Sequence, residues 1–470
     1  MVDPLDQNQG DHLILKNWKP NLMEKGKLKK HNRVTEDLLY HVDDIPATWK
    51  TIIYSFQWLI FSLTVCAVIP ILVGTSLGLE KEAISAFILR TFCFSGLLSI
   101  IQVYFGHKLP IFEGPGGMWY NVLIVLGVMT TQLGKSFEEL RANIVMGTII
   151  VGIVYIILGI FGLVKKIMPL FTPTVKGIFF LLMGLQISSS IVKGMLGIWP
   201  HGTQVNLPGL SVFFMVVIIS ITVSLKAKGF FQSTAIFIGT VVGWVAAAML
   251  GIAAPLEKGS LSFELPQFLP WGNPEFDLGI TIILLITGFF TLSNVVASVM
   301  TMSTLLDRKD TEKIYNSTTT ITGFGNVLAG FFALIGFVPF ASSLGFARIT
   351  RVAARIPFII SAVILIVLGL VPAVGVFIAS IPIQVGYAVV LIMFCQIITV
   401  AFDEFKKVEF DKRNSYITGV SVLIGVGIMF IPLETFKEMP ILIRSFAGNG
   451  LIVGLLLCLL LEQVLIRHPK

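Results

Sequence analysis

Glu113 is the one carboxylate of this 470-residue chain that falls deep inside an apolar run. A carboxylate at membrane depth is by default a functional group: a proton site, or an acceptor for a donor-bearing ligand. It stands in Leu109 to Trp119, LPIFEGPGGMW, where Pro110 interrupts a helix and Gly116 and Gly117 let backbone approach a ligand closely. Gly336 to Arg351, GFVPFASSLGFARITR, has the same build. Gly336 and Pro339 break a helix there, and Ser342 and Ser343 open a new one that leaves through Gly345. The serines are either plain N-caps or, with the free N–H groups and positive dipole end of a half-helix, donors to a ligand. Setting Pro110 on Pro339 places Glu113 on Ser342 and Gly117 on Phe346. Short extended pieces are expected at Pro110 to Phe112 and Pro339 to Ala341, each satisfying backbone groups that the other leaves open.

Other polar groups in apolar runs are Ser293, Asn294 and Gln186. An amide carries two donors and an acceptor, which suits the edge of a flat heterocycle and equally suits helix-to-helix bonding. Phe112, Phe289, Phe290, Phe340 and Phe346 flank these positions; among 37 phenylalanines, core packing is the expected role for any one of them. Arg90 is expected to snorkel or to pair structurally, Glu113 being the partner at hand. Arg348, Arg351 and Arg355 recur at helical spacing and mark an inner membrane face, while Thr350 and Arg351 are candidates for closing an inner gate. Cys66, Cys93, Cys395 and Cys458 read as core hydrophobes, so no metal or disulfide is expected. The six histidines lie outside the centres of the apolar runs. No nucleophile elbow, phosphate loop or metal-spaced set occurs, and the chain is expected to be no enzyme and to use no cofactor.

These residues need membrane-spanning elements to hold them. The chain is 55% hydrophobic and 13% charged, against roughly 25% charged in soluble domains, with a mean hydropathy of +0.88. The net charge of +7 follows from basic loop residues that orient helices, so no nucleic-acid partner is expected. At roughly 20 residues per span, twelve apolar runs plus the two interrupted segments give fourteen. Lysine and arginine concentrate in the segments that a cytoplasmic N-terminus puts inside, which places both termini in the cytoplasm. No signal peptide is expected. A loop near 252–277 joins seven spans to seven, and an odd number per half inverts the second copy. The fold class expected is therefore an all-α polytopic membrane protein, fourteen transmembrane segments in a seven-plus-seven inverted repeat, with two broken segments of short strand plus half-helix.

Three stretches resemble the nucleobase cation symporter 2 family, also called nucleobase-ascorbate transporters: GHKLPIFEGPGG, FTPTVKGIFFLLMGLQI, and Ser342 to Arg351 at the spacing of the family's tenth-span signature. The sequence departs from the family where an eighth-span glutamate gives way to Ser293 or Asn294, and where Ser342 and Ser343 replace an acidic residue and Asn. The resemblance implies a cytoplasmic tail (1–50), a core domain (51–163 and 278–380) that holds the site, and a gate domain (174–253 and 382–466). It implies a plasma-membrane permease, a homodimer in the bilayer, that takes up a purine or pyrimidine base by proton symport; Glu113, as the carboxylate deep within a span, is the coupling candidate. Substrate-binding candidates are Glu113, Gly116, Gly117, Ser293, Asn294, Ser342, Ser343 and Gly345. An anion carrier of the same fold class and a non-transporting sensor are the alternatives.

Overall fold

A computed structural model describes residues 38–128, 130, 134–167, 172–198, 204–228, 230–253, 259–308, 311–431, 435 and 450–466. The first 37 residues of the expected tail lie outside them. The chain enters through Thr48–Cys66 (α1), Ile69–Ser76 (α2) and Lys81–Phe105 (α3), then Glu113–Pro115 (β1) and Gly117–Val128 (α4). Phe137–Ile160 (α5), the short Val164–Ile167 (α6), Pro173–Leu196 (α7), Leu207–Lys226 (α8), Phe230–Ser233 (α9) and Ala235–Met249 (α10) follow. Next come Leu278–Leu305 (α11), Glu312–Phe331 (α12), Phe337–Pro339 (β2), Ser342–Thr350 (α13), Arg355–Gly369 (α14) and Pro372–Ala379 (α15). Ile383–Phe405 (α16), Lys412–Met429 (α17), Gly450–Leu460 (α18) and a π-helical turn at Leu461–Leu465 end the described chain.

Among the described residues seven helices are long and apolar enough to cross a membrane, and eight if α14 and α15 count as one bent span. Those two meet at 86°. Pro372 at the first turn of α15 removes the N–H that would have continued α14. The loop before α11 is tied to the ends of the helices it crosses. Leu269 N–H donates to Phe331 O at 2.8 Å and Glu264 N–H to Leu370 O at 2.9 Å, and Trp271 is buried edge-on against Phe87. It covers the ends of α12 and α14.

Two sets of helices pack among themselves. Within the first, α5 runs along α12, and α3 lies against α14 and α15. The α5–α12 contact needs glycine on both sides: a Cβ on Gly152 would come within 2.6 Å of Val327 N, and one on Gly323 within 2.7 Å of Gly152 O. Without a hydrophobic drive between helices in lipid, such backbone approach is what holds them. Within the second set, α7 packs on α16, α17 and α18, and α8 on α10. The segment before α1 is tied down as well: Leu39 N–H donates to Arg351 O at 2.8 Å and Ala353 N–H to Tyr40 O at 2.9 Å.

The strands β1 and β2 form an antiparallel pair in the first set, with Glu113 opposite Pro339, Gly114 opposite Val338 and Pro115 opposite Phe337. Both breaks fall where expected, but the extended pieces do not. They lie at 113–115 and 337–339 rather than at 110–112 and 339–341. The half-helices accordingly start at Gly117 and Ser342, which makes Gly117, not Glu113, the counterpart of Ser342.

Candidate functional site

The crossing is held by a closed set of backbone bonds. Gly116 N–H donates to Gly336 O and Phe340 N–H to Phe112 O, both at 2.8 Å, on either side of the central Gly114–Val338 pair. Pro115 and Pro339 occupy the alternate positions, where a strand needs no donor toward its partner. The outward N–H groups find side chains instead. Glu113 N–H donates to Ser99 Oγ at 2.9 Å, Phe337 N–H to Asn326 Oδ1 at 2.8 Å and Phe112 N–H to Ser343 Oγ at 3.1 Å. Pro339 O accepts from Ser298 Oγ at 2.8 Å. Irregular backbone at membrane depth is tolerable only with such partners.

Between this crossing and the second helix set lies a cavity of about 310 Å³. Gly117, Met118 and Tyr120 of α4 and Val338, Phe340, Ala341 and Ser342 form one wall with Asn294 of α11. Phe61 and Thr64 of α1 add to it, and Phe180, Met183, Ile236, Met393, Ile397 and Val400 close it from α7, α10 and α16. The starts of both half-helices therefore face one space; the first N–H groups of α4 have no intrahelical acceptor, whereas in α13 Ser343 N–H and Leu344 N–H donate back to Phe340 O and Ala341 O, both at 3.1 Å. Among the described lining residues none is a lysine, arginine, histidine, aspartate or glutamate. Asn294 and Ser342 have no hydrogen-bond partner among the described residues, so the amide and the hydroxyl are open to a ligand, beside the rings of Phe61, Phe180 and Phe340.

The structure divides the candidate residues. Gly117, Asn294 and Ser342 line the cavity. Gly116 is buried beneath Trp119 and Val338, and Gly345 faces open space on the next turn of α13, outside the lining. Ser293 is buried and donates to Phe290 O at 2.7 Å, back into its own helix. Neither serine caps α13; Ala341 is the N-cap, without a side-chain bond. Ser343 is fully buried and holds the crossing through Phe112 N–H. Gln186 lies in a separate narrow cleft with Asn121, and Phe289 faces a different, apolar cavity. Thr350 Oγ1 donates to Phe346 O at 2.8 Å, while Arg351 ends α13 in a left-handed conformation (φ 61°). Sequence reasoning missed Tyr120, Phe61 and Phe180, whose signal in sequence is only that of aromatic core.

Glu113 is outside the lining. Its side chain is fully buried behind β1, where Oε1 accepts from Thr322 Oγ1 at 2.9 Å and from Gln102 Nε2 at 3.4 Å. Oε2 has no hydrogen-bond partner among the described residues. Arg90 makes no ion pair with it among those residues: the guanidinium is buried on α3 near the Phe87 ring, 6.0 Å away. The carboxyl can therefore gain or lose a proton without breaking an ion pair.

Residues 49–434 match the model of a permease family. The putative purine permease YwdJ of Bacillus subtilis is 29% identical over 422 residues, 88% of this chain and 96% of the relative. The uric acid transporter UacT of Escherichia coli is 26% identical over 438 residues, 90% of this chain and 87% of the relative. The xanthine permease of B. subtilis is 24% identical over 412 residues, 86% and 91%. Among solved structures, the transmembrane domain of the cyanobacterial bicarbonate transporter BicA superposes with a TM-score of 0.61 at 15% identity, covering 88% of this chain and 98% of that one. Murine Slc26a9, an anion transporter in the inward-facing state, gives 0.59 at 12% identity, covering 93% and 72%. These likenesses carry the fold alone.

Proposed function

The chain belongs to the permease family of the nucleobase-ascorbate transporters, and from that premise we propose that it carries a nucleobase, a purine in the first place, across the plasma membrane into the cell by proton symport. The observation that carries the reading is the cavity at the two half-helix starts. A flat, neutral heterocycle is apolar on its faces and alternates donors and acceptors along its edge. The cavity offers aromatic walls, the Asn294 amide, the Ser342 hydroxyl and backbone N–H groups, without a formal charge. The relatives' names as purine, xanthine and uric acid permeases point the same way.

The coupling proton is assigned to Glu113. Its backbone belongs to β1, whose pairing with β2 reaches Val338 and Phe340 in the cavity wall, so a change of charge at the carboxyl acts on the strand pair that shapes the site. The helices α1–α5 and α11–α15 form the core domain of the proposal; α7, α8, α10 and α16–α18 form the gate. With the uncounted shorter helices as spans, the chain is a fourteen-segment, seven-plus-seven inverted repeat with both termini in the cytoplasm, and it works as a homodimer.

The test is competition for labelled xanthine uptake in membrane vesicles by hypoxanthine, uracil and sulfate. Hypoxanthine should compete and sulfate should not. Sulfate competition, or no uptake of any base, would overturn the assignment.

A further inference from the structure

The half-helix α13 has nine residues and is held at its start by β2. An isolated helix shorter than about 12–15 residues is marginal, so its far end needs a hold as well. The segment before α1 supplies one. Leu39 N–H and Tyr40 N–H donate to Arg351 O at 2.8 and 3.4 Å, and Tyr40 forms a parallel bridge with Val352. Ala353 N–H donates to Tyr40 O at 2.9 Å, and Arg355 N–H to Val42 O at 3.1 Å. The carbonyl that ends α13 and the first N–H of α14 are groups that helix ends leave without an intrahelical partner. Arg351 itself is left-handed, with φ 61°, a conformation that a residue with a side chain keeps only where its surroundings hold it.

Side chains fasten the same segment. His41 N–H donates to Asp44 Oδ2 at 2.7 Å and Asp44 N–H to His41 O at 3.2 Å, a turn that leaves Val42 buried and Asp43 exposed. Val42 is 5% exposed, in one apolar cluster with Leu109 and Ile111 ahead of β1, Met302 on α11 and Ala347 on α13. It thus joins the entry of one broken segment to the half-helix of the other. Asp43 bonds Arg355 and lies 3.5 Å from Arg308. An exposed ion pair adds little, so the buried valine carries most of the attachment.

We propose that residues 38–46 are a strap that positions the substrate site: Val42, with Asp43 in support, sets the affinity of the cavity without lining it, by fixing the far end of α13. Ser342 in the cavity wall and Ala347 against Val42 are five residues apart on that helix, about 7.5 Å along its axis. A loosened end lets α13 tilt and carries the Ser342 hydroxyl off a ligand's edge, and hydrogen bonds weaken steeply with misalignment. The effect on affinity rests on the reading of this cavity as the nucleobase site; the hold on α13 does not.

Hydrogen–deuterium exchange of the full-length protein in nanodiscs, without substrate, tests that hold, and uptake of labelled xanthine in vesicles, resolved into KM and maximal rate, tests the positioning. Val42→Asp puts an unpaired carboxyl into the cluster. Residues 342–353 are then expected to exchange about tenfold faster or more, with α5 and α7 as in the parent. KM should rise about fivefold or more, at a maximal rate within about twofold of the parent. Val42→Ile keeps the apolar contact and should leave both readouts at the parental level, while Asp43→Arg should move both in the same direction by less. If Val42→Asp does not fold, Val42→Thr, which adds only a hydroxyl to the same shape, replaces it. Parental exchange at 342–353 in these variants overturns the hold on α13; faster exchange there at unchanged KM makes the strap a structural tie and overturns its role in the site. If the parent takes up no base, the functional reading falls, while the exchange measurement still decides whether the strap holds α13.

Discussion

In the proposed reading Glu113 carries the coupling proton and Asn294 meets the substrate. Asn294 and Ser342 meet the cavity, while Glu113 sits behind the strand pair with its Oε1 bonded to Thr322 and Gln102. Replacing Glu113 by glutamine keeps the shape and removes the titratable proton. Glu113→Gln is therefore expected to abolish proton-driven accumulation in proteoliposomes and to spare exchange of labelled base against unlabelled base; accumulation at the parental level would make Glu113 structural. The cavity residues should behave differently. Asn294→Leu is expected to lower substrate affinity about tenfold, the worth of a lost hydrogen bond with its edge left unpaired, at unchanged unfolding temperature. Ser343→Ala should do the reverse. It strips the acceptor from the buried Phe112 N–H, so a loss of about 1–3 kcal/mol of stability is expected, with substrate affinity close to that of the parent. Measuring both quantities in both variants separates the site from its support.

At the scale of elements, Pro110 and Pro339 mark the two breaks in the sequence because proline has few places in a helix interior. The register is not written there. A three-residue strand has no periodicity to read, and the acceptors that fix it, Ser99 on α3 and Asn326 on α12, are near only in the folded chain. The serine pair misleads for a related reason. Ser342 and Ser343 look alike in sequence, yet one helical residue of rotation turns the second onto Phe112. Helix positions were far more legible, since long apolar runs announce α3, α5, α7, α8, α11 and α16, whereas the sharp bend before α15 is set by Pro372 and packing on α3. Gly336 tests the crossing itself. A Cβ there would come within 2.3 Å of the Trp119 ring, and Gly336→Ala is expected to cost about 1–3 kcal/mol by overpacking, measured by thermal unfolding. At the N-terminal ends of α5 and α11, Lys135 joins Glu139 at 2.7 Å and Asp277, the N-cap of α11, at 3.2 Å. Burial lowers its pKa, but the two carboxylates outweigh that and leave it raised above the ordinary 10.5. Its stabilisation is thus fully present at neutral pH and lost as pH rises through the raised value. Lys135→Met should lower the unfolding temperature at neutral pH, and the gap between variant and parent should close in strong alkali.

At the scale of the molecule, the cavity has two walls that belong to different helix sets. The crossing, α4, α11 and α13 form one; α7, α10 and α16 form the other. Transport requires the site to open to each side in turn, which rigid sets achieve by moving against one another about a fixed site. The packing favours that motion. Glycine-mediated backbone approach locks α5 to α12 inside the first set, whereas the cavity-facing contacts between sets are side-chain contacts such as the Tyr120–Phe394 ring pair at 6.0 Å. A covalent tie across the cavity should then stop turnover without unfolding either wall. With the exposed Cys395 replaced by serine, cysteines are placed at Phe340 on one wall and Met393 on the other, and a flexible thiol-reactive cross-linker with a reducible disulfide is added. Uptake of labelled base by the double-cysteine variant, relative to its own untreated rate, is expected to fall to background on cross-linking and to return on reduction, and to fall further than in either single-cysteine variant given the same treatment. Cross-linked protein that transports at the parental rate would show that the α16 wall and the strand crossing travel together, and the moving boundary would have to be sought elsewhere in the helix packing.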